Sequence, residues 1–571
     1  MYAYAPFGLE GIIIRVEADI RRGIPGIDIS GLADGAVREA RERVRAAIRN
    51  AGFTFPQDRI LVNLAPAGIK KDGAELDLPI AFAILAAAGH IPNPEGLMVL
   101  GELELSGAIR PVRGVVAATA AGLSSGLQGF IVPQANRAEV QVLASHCGAA
   151  VANLTEAVNI LKHWKTHGTF PPLQEIGTDD RCTLSGGTLP VFPPGLAAGT
   201  ATEERLDAKS STSPKIYRSE APVGDFSDVY GQEVYKRGLE LVAAGGHNLL
   251  VFGPPGAGKT LLARRLPSIL PPLLPQEALE VRRLYSLAGR SETDFWNNGE
   301  HLSPPFRSPH HGASLEGLLG GGKTVKPGEI SLAHYGVLFL DEAPEFRASI
   351  LKALREPLED GVITIARAEG SIKLPAEFQL ILAANPCPCG RLGQTSGEGG
   401  SLCFCSDDEI HRHWQRLGSA LLDRIEIRIP VVPAPEHWVH RMAIRQKSSV
   451  ENLGTSVVDR VRLAIEIQRE RFRCTGCRRN ARMTPPLVER FCGLSPESAG
   501  ALETRIRSAG LSNRAIQGVL KVARTIADLE GRSDIITADL EEALEFRRAG
   551  EDPYDVVSLS SQTSVPGIPR I

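Results

Sequence analysis

Gly253-Pro254-Pro255-Gly256-Ala257-Gly258-Lys259-Thr260 has the G-x-x-x-x-G-K-T spacing of a phosphate-binding loop. Its glycines let successive backbone N–H groups turn inward as an anion nest, and the N-terminus of a following helix adds positive dipole. Lys259 would neutralise β- and γ-phosphate oxygens, and the Thr260 hydroxyl can ligate Mg2+. Hydrolysis at such a loop also needs a metal-holding carboxylate and a base for water. Asp341-Glu342 closes the apolar run Val337–Leu340 and offers both: Asp341 for the Mg2+ shell, Glu342 as general base. An apolar run ending in Asp-Glu says little by itself; downstream of a sound phosphate loop it says much. ATP and Mg2+ are therefore the expected ligands.

Two further residues could complete the chemistry. Asn385 ends the apolar run Phe378–Ala384, where it could orient the water or the γ-phosphate from the neighbouring strand of a parallel sheet. The alternative is an asparagine that only turns the chain before Pro386. Arg424, in Leu421-Leu422-Asp423-Arg424, precedes another strand and could reach the nucleotide of an adjacent subunit as an arginine finger. The active unit would then be a ring.

These residues need an α/β frame. Leu249–Phe252 reads as a strand entering the glycine loop, and Leu261-Leu262-Ala263-Arg264-Arg265-Leu266 as the helix leaving it. With 571 residues and roughly 150 per domain, three or four units are expected. Residues 1–164 alternate short apolar runs with helical stretches, one of them capped by Asp34 with Val37, Val44, Ala47 and Ile48 as its stripe. Residues 165–223 have the Pro, Gly, Ser and Thr composition of a linker. Residues 224–432 form the nucleotide-binding α/β block, 433–550 a helical domain, and 551–571 a polar tail.

The hydrophobic fraction of 43% and charged fraction of 23% are those of an ordinary globular chain, and no apolar run reaches the roughly 18 residues that cross a bilayer. A cytoplasmic protein without membrane contact is expected. A net charge of -3 excludes a uniformly basic nucleic-acid binder but not a ring with a basic lining. Arg462, Arg469, Arg471, Arg473, Arg478, Arg479 and Arg482 form a basic stretch that is either a solvated helical face or a phosphate-binding one. Other candidates for DNA are Ser303–Lys326, with Arg307, His310, His311, Lys323 and Lys326, and a hairpin of Val362–Ile365 with Ile372–Leu374, with Arg367 and Lys373 near its tip. The bland alternative for both is ordinary surface charge, and His310-His311 could instead pack at a subunit interface.

Cys387-x-Cys389 and Cys403-x-Cys405 flank a Gly-rich loop, and their four thiolates could close a tetrahedral Zn2+ site; reduced, unliganded thiols are the alternative. Cys474-x-x-Cys477 has no second pair and reads as plain thiols.

The chain resembles the magnesium-chelatase-like branch of AAA+ ATPases and, within it, the YifB/ComM family. The resemblance rests on FRSPHHGAS from Phe306, GEISLAHYGVLFLDEAPEF from Gly328, ILKALREPLEDG from Ile350, NPCPCG from Asn385, LLDRIEI from Leu421 and VARTIADLEG from Val522. It implies an ATP-driven homo-hexameric motor on single-stranded or branched DNA, a branch-migration helicase of natural transformation. In the family's terms Asn385 looks like sensor 1, Arg424 the finger and Arg514 the sensor 2 arginine on the helical lid. Gly418-Ser419-Ala420 and Glu426 depart from the family's Ser-Gly-Pro and Asp, which bears on the turn presenting Arg424. A chelatase-type or chaperone-like ATPase remodelling a protein is the alternative.

The first domain resembles the proteolytic domain of Lon in KKDGAELDLPIAFAILAA and LGELELSGAIRPVRG. In that register Glu75 stands at the serine position and Val116 at the lysine position. No serine occurs from Ala65 to Ala81 and no lysine from Pro111 to Val132, so the serine–lysine chemistry of such peptidases is not expected.

Overall fold

Leu249–Phe252, Val337–Leu340 and Gln379–Ala384 bury almost every residue, the pattern of strands covered on both faces. In the computed structural model, which describes residues 1–31, 35–67, 74–170, 229, 231–290, 303–322, 325–367, 370–393, 403–431, 453–548 and 554, they form the centre of an all-parallel five-stranded sheet. Its order is Phe306–Arg307, Val337–Leu340, Gln379–Ala384, Leu249–Phe252, Ile427–Pro430. Phe252 pairs with Ala384 and Pro430, and Leu340 with Leu382, so Gly253, Asp341 and Asn385 emerge together at the carboxyl edge.

Five helices follow among the described residues: Leu453–Phe472, Pro485–Phe491, Pro496–Ala509, Asn513–Leu529 and Thr537–Arg548. Asn513–Leu529 turns Val519, Val522, Ala523 and Ile526 into a hydrophobic core shared with the helix Glu233–Gly245 of the second α/β block. Arg471 grips Asp528 with two hydrogen bonds of 2.7 and 2.5 Å. Arg471, a candidate phosphate contact by sequence, is thus committed to the interior, as is Arg482, which donates to the Leu358 and Phe378 carbonyls.

His247 locks the sheet to these helices. It is fully buried, and its Nε2 lies 2.8 Å from Thr525 Oγ1. The Thr525 hydroxyl donates to the Lys521 carbonyl, so Nε2 is the ring donor, and Nδ1 has no partner among the described residues. Burial pushes this imidazole down to about 3. The unfolded chain gains a proton here below about 6.5, which the native state refuses until far lower pH. Stability from this residue is therefore complete above that value and lost as pH falls, by at most about 1.4 kcal/mol per pH unit. In urea titrations between about pH 4 and pH 7, His247→Gln is expected to flatten the acid limb. An unchanged slope would place the acid sensitivity elsewhere.

The first domain is built on a seven-stranded mixed sheet, ordered Gly26–Ser30, Arg59–Ala65, Ile12–Arg21, Tyr2–Ala5, Leu97–Val99, Gly129–Pro133, Gly148–Val151. Helix Gly35–Asn50 buries Val44, Ala47 and Ile48, while its expected cap Asp34 lies outside the described residues. The helix Asp77–Ala87 is buried along nearly its whole length, and its one carboxylate, Asp77, is matched by Arg43 at 2.8 and 3.1 Å. The last helix, Leu154–His167, runs three residues past the expected domain end at 164 and stops at Gly168, whose φ of +72° suits glycine. The linker expected from 165 therefore starts later, and residues 171–228 lie outside the described residues.

Val116, at the lysine position of the Lon-like register, is fully buried; its N–H donates to Ser286 Oγ of the second α/β block at 3.4 Å, and Gly114 N–H to the Ser286 carbonyl at 3.1 Å. Ser286 in turn donates to Glu139. The place a lysine would hold in a peptidase is here an interdomain joint. Among the described residues no helix is long and apolar enough to cross a membrane.

Candidate active site

The glycine loop is shaped by close approach at its start and by handedness further on. A Cβ on Gly253 would stand 2.1 Å from the Val431 carbonyl oxygen, and Gly256 and Gly258 have φ of +80° and +88°. Helix Lys259–Ala263 begins directly behind them. Lys259 is almost buried; its Nζ donates to the Gly253 carbonyl (2.6 Å), the Pro254 carbonyl (2.9 Å) and Asn385 Oδ1 (3.2 Å). Burial pushes its ammonium down to about 8, against the pull of Asp341 and Glu342. A cation held only by neutral oxygens is a good host for phosphate oxygens, which return the charge partner that burial removed. The buried Tyr235 hydroxyl fixes the lysine's backbone, donating to the Lys259 carbonyl at 2.9 Å.

Thr260 Oγ1 donates to Asp341 Oδ2 at 2.8 Å, which places together a hydroxyl and a carboxylate, hard oxygen donors of the kind that suit Mg2+. Glu342 adopts φ +51°, rare for a side chain with a Cβ and of the order of 1–2 kcal/mol in cost. Its carboxylate is half exposed and lies 3.6 Å from His311 Nδ1. Lys259, Thr260, Asp341 and Asn385 thus meet at one edge, with Glu342 beside them.

Asn385 is held from behind. Its carbonyl accepts from His413 Nε2 at 3.1 Å, and the Pro386 carbonyl from Trp414 Nε1 at 3.0 Å. The helix Asp407–Gln415 that carries both rings is capped by Ser406 and Glu409. Cys387, Cys389, Cys403 and Cys405 sit beside this arrangement with all their sulfurs within 4.8 Å of one another.

Arg424 belongs to the other end of the sheet. Its carbonyl accepts from Asn248 Nδ2 at 3.0 Å; the same side chain takes the Leu380 N–H, and Glu426 takes the Asn248 N–H at 2.9 Å. Glutamate at 426 thus ties the segment to the start of the strand Leu249–Phe252. The turn departing from the family pattern is closed by Gly418 at φ +75°, and Arg424 itself donates to the Ala420 carbonyl at 2.5 Å. Four strand residues, roughly 13 Å, separate this anchor from the glycine loop. Arg424 pairs with Glu359 at 2.5 Å, and Arg514 pairs with the same carboxylate oxygen. The two arginines therefore form one cationic pair, remote from the lysine of their own chain.

Sequence reading missed Glu359, which stands 65 and 155 residues from its two partners; a lone glutamate in ILKALREPLEDG carries no local signal. It also missed the His311–Glu342 neighbourhood, and it left Arg307 as either a DNA contact or an ordinary surface charge. Arg307 is instead spent on Glu329 at 2.6 Å, on the edge strand of the sheet. Lys323 lies outside the described residues.

Residues 225–439 match the family model described as magnesium chelatase, subunit ChlI, residues 16–136 that of subunit ChlI of Mg-chelatase, and residues 452–547 that of the ChlI C-terminal part. The chain is 38% identical over 550 residues to the protein YifB of Salmonella typhimurium, covering 96% of each chain. It is 37% identical over 553 residues to the competence protein ComM of Haemophilus influenzae, covering 96% of this chain and 97% of that one. A partial likeness, 24% identity over 151 residues, is to the Lon protease of Geobacter metallireducens and covers 25% of this chain.

Proposed function

Since the chain belongs to the YifB/ComM family of magnesium-chelatase-like ATPases, we propose that it is a ring-forming ATPase that drives branch migration of DNA during the uptake and integration of incoming strands. The single observation carrying the DNA half of this reading is the full-length likeness to a protein named for competence. The ring, a homo-hexamer in this reading, is supported by the division of the site: Lys259 and Arg424 stand at opposite ends of one strand, so a complete site needs a neighbouring copy.

In this mechanism the loop N–H groups and Lys259 bind the β- and γ-phosphates, and Thr260 and Asp341 hold Mg2+, which supplies charge neutralisation at the phosphate oxygens. Glu342 takes the proton of the attacking water, and Asn385 orients that water while its Oδ1 restrains the lysine. Arg424, seconded by Arg514, enters from the neighbouring copy to meet charge developing on the transferred phosphoryl group. Motion would reach DNA through the antiparallel hairpin Val362–Arg367 and Gly370–Pro375, whose exposed Lys373 alternates with the buried Ile372 and Leu374.

The test is steady-state ATPase of the full chain with and without single-stranded and branched DNA, at low salt where phosphate contacts are strongest. DNA is expected to stimulate turnover, and Lys259→Ala to abolish both the basal and the stimulated rates. An ATPase active but indifferent to DNA would sink the DNA reading and favour remodelling of a protein partner.

A further inference from the structure

We infer that Cys387, Cys389, Cys403 and Cys405 bind one Zn2+ ion and that this metal positions Asn385 for hydrolysis. The sulfur of Cys387 lies 3.3 Å from that of Cys389 and 3.7 Å from that of Cys403, and Cys389 and Cys403 are 3.5 Å apart. These separations are too long for disulfides, whose sulfurs stand about 2.05 Å apart, and all four thiols are free. They approach the edge of a tetrahedron of sulfurs each about 2.3 Å from a central zinc, an edge of about 3.8 Å.

Four thiols gain little from one another, since S–H is a weak donor and sulfur a weak acceptor. As thiolates around one divalent cation they become strong ligands of a soft metal. A multi-iron cluster divides its cysteines among several irons and would hold them farther apart than the 4.8 Å limit seen here. No water-bearing position remains, because four protein ligands close the sphere of a tetrahedral ion. The role is therefore positional.

What it positions follows from the chain path. Cys387 is fully buried two residues after Asn385, and Cys405 stands two residues before the helix Asp407–Gln415. That helix returns His413 and Trp414 to the carbonyls of Asn385 and Pro386. A metal joining the two cysteine pairs closes the circuit, fixing the backbone of Asn385 from both sides. The Asn385 amide, 3.2 Å from Lys259 Nζ, then has one orientation toward the loop. Loss of the metal should slow turnover while leaving nucleotide binding, which rests on the loop itself, intact.

The experiment uses the full untagged chain produced with zinc supplementation. Elemental analysis is expected to find about one zinc per chain, and Cys387→Ser/Cys403→Ser to lose it. Cobalt replacement should give the intense charge-transfer and ligand-field bands of tetrahedral thiolate coordination. This readout needs no variant and holds if the double serine chain does not fold. In a folded variant kcat should fall on the order of tenfold, as expected of a displaced orienting group, with affinity for a non-hydrolysable ATP analogue unchanged. A wild-type chain without zinc, with four freely titrating thiols or with iron in the site, would overturn the metal assignment. A metal-free variant with wild-type kcat would overturn the positioning role. Metal content and cobalt spectra do not depend on ATPase activity, so failure here is separable from failure of the motor reading.

Discussion

Glu342→Gln is expected to lower kcat for ATP hydrolysis by about 10²- to 10⁴-fold, the usual worth of a positioned general base, with ATP affinity close to wild type. The substitution keeps size and hydrogen-bonding capacity but cannot take a proton from water. It spares the elements that bind: the Thr260–Asp341 pair at 2.8 Å and the three hydrogen bonds of Lys259 are made by other side chains. Single-turnover hydrolysis and analogue binding on the same preparation measure the split. Wild-type kcat in the variant would move the base to another group, and His311 at 3.6 Å is the titratable side chain beside it.

Arg424→Ala should cost about 10³- to 10⁵-fold in kcat, the range for an arginine that meets transition-state charge. The further expectation is complementation. Alone, Arg424→Ala chains lack the finger and Glu342→Gln chains lack the base. In a mixed ring, an Arg424→Ala chain keeps an intact nucleotide site and can receive Arg424 from a Glu342→Gln neighbour. Mixtures should therefore recover a fraction of wild-type turnover that peaks near equal proportions. If mixing restores nothing in assembled rings, the finger acts within its own chain, which would require Arg424 to leave both Glu359 and the Ala420 carbonyl and cross the sheet. Arg514→Ala, affecting the same carboxylate from a position 48% exposed, is expected to have the smaller effect.

Much of the site was legible because it is local. The glycine loop is eight consecutive residues whose function needs only their own backbone and the next helix. Asp341, Glu342 and Asn385 could be placed because each follows a buried strand, and parallel strands deliver their carboxyl ends to one edge. The absence of a serine from Ala65 to Ala81 and of a lysine from Pro111 to Val132 is likewise read from the sequence alone. Arg307 and Arg471 misled because charge in a sequence carries no address: one pairs with Glu329, the other with Asp528, and both acids lie beyond local spacing. Glu359 was invisible for the same reason.

The sequence by itself determined which groups can bind phosphate and move a proton, since that chemistry resides in residue types at fixed local spacing. Only the tertiary structure decided where Arg424 stands relative to the lysine of its own chain. The carbonyl of Arg424 is tied through Asn248 to the amino end of the strand whose carboxyl end carries the glycine loop, with Lys259 at the start of the next helix. Arg424 and Arg514 meet on Glu359 only when the helical domain folds back. The four sulfurs converge only after the helix Asp407–Gln415 returns to Asn385. Such contacts join residues far apart in the chain, so they exist only once burial has offset the entropy of closing the loops between them.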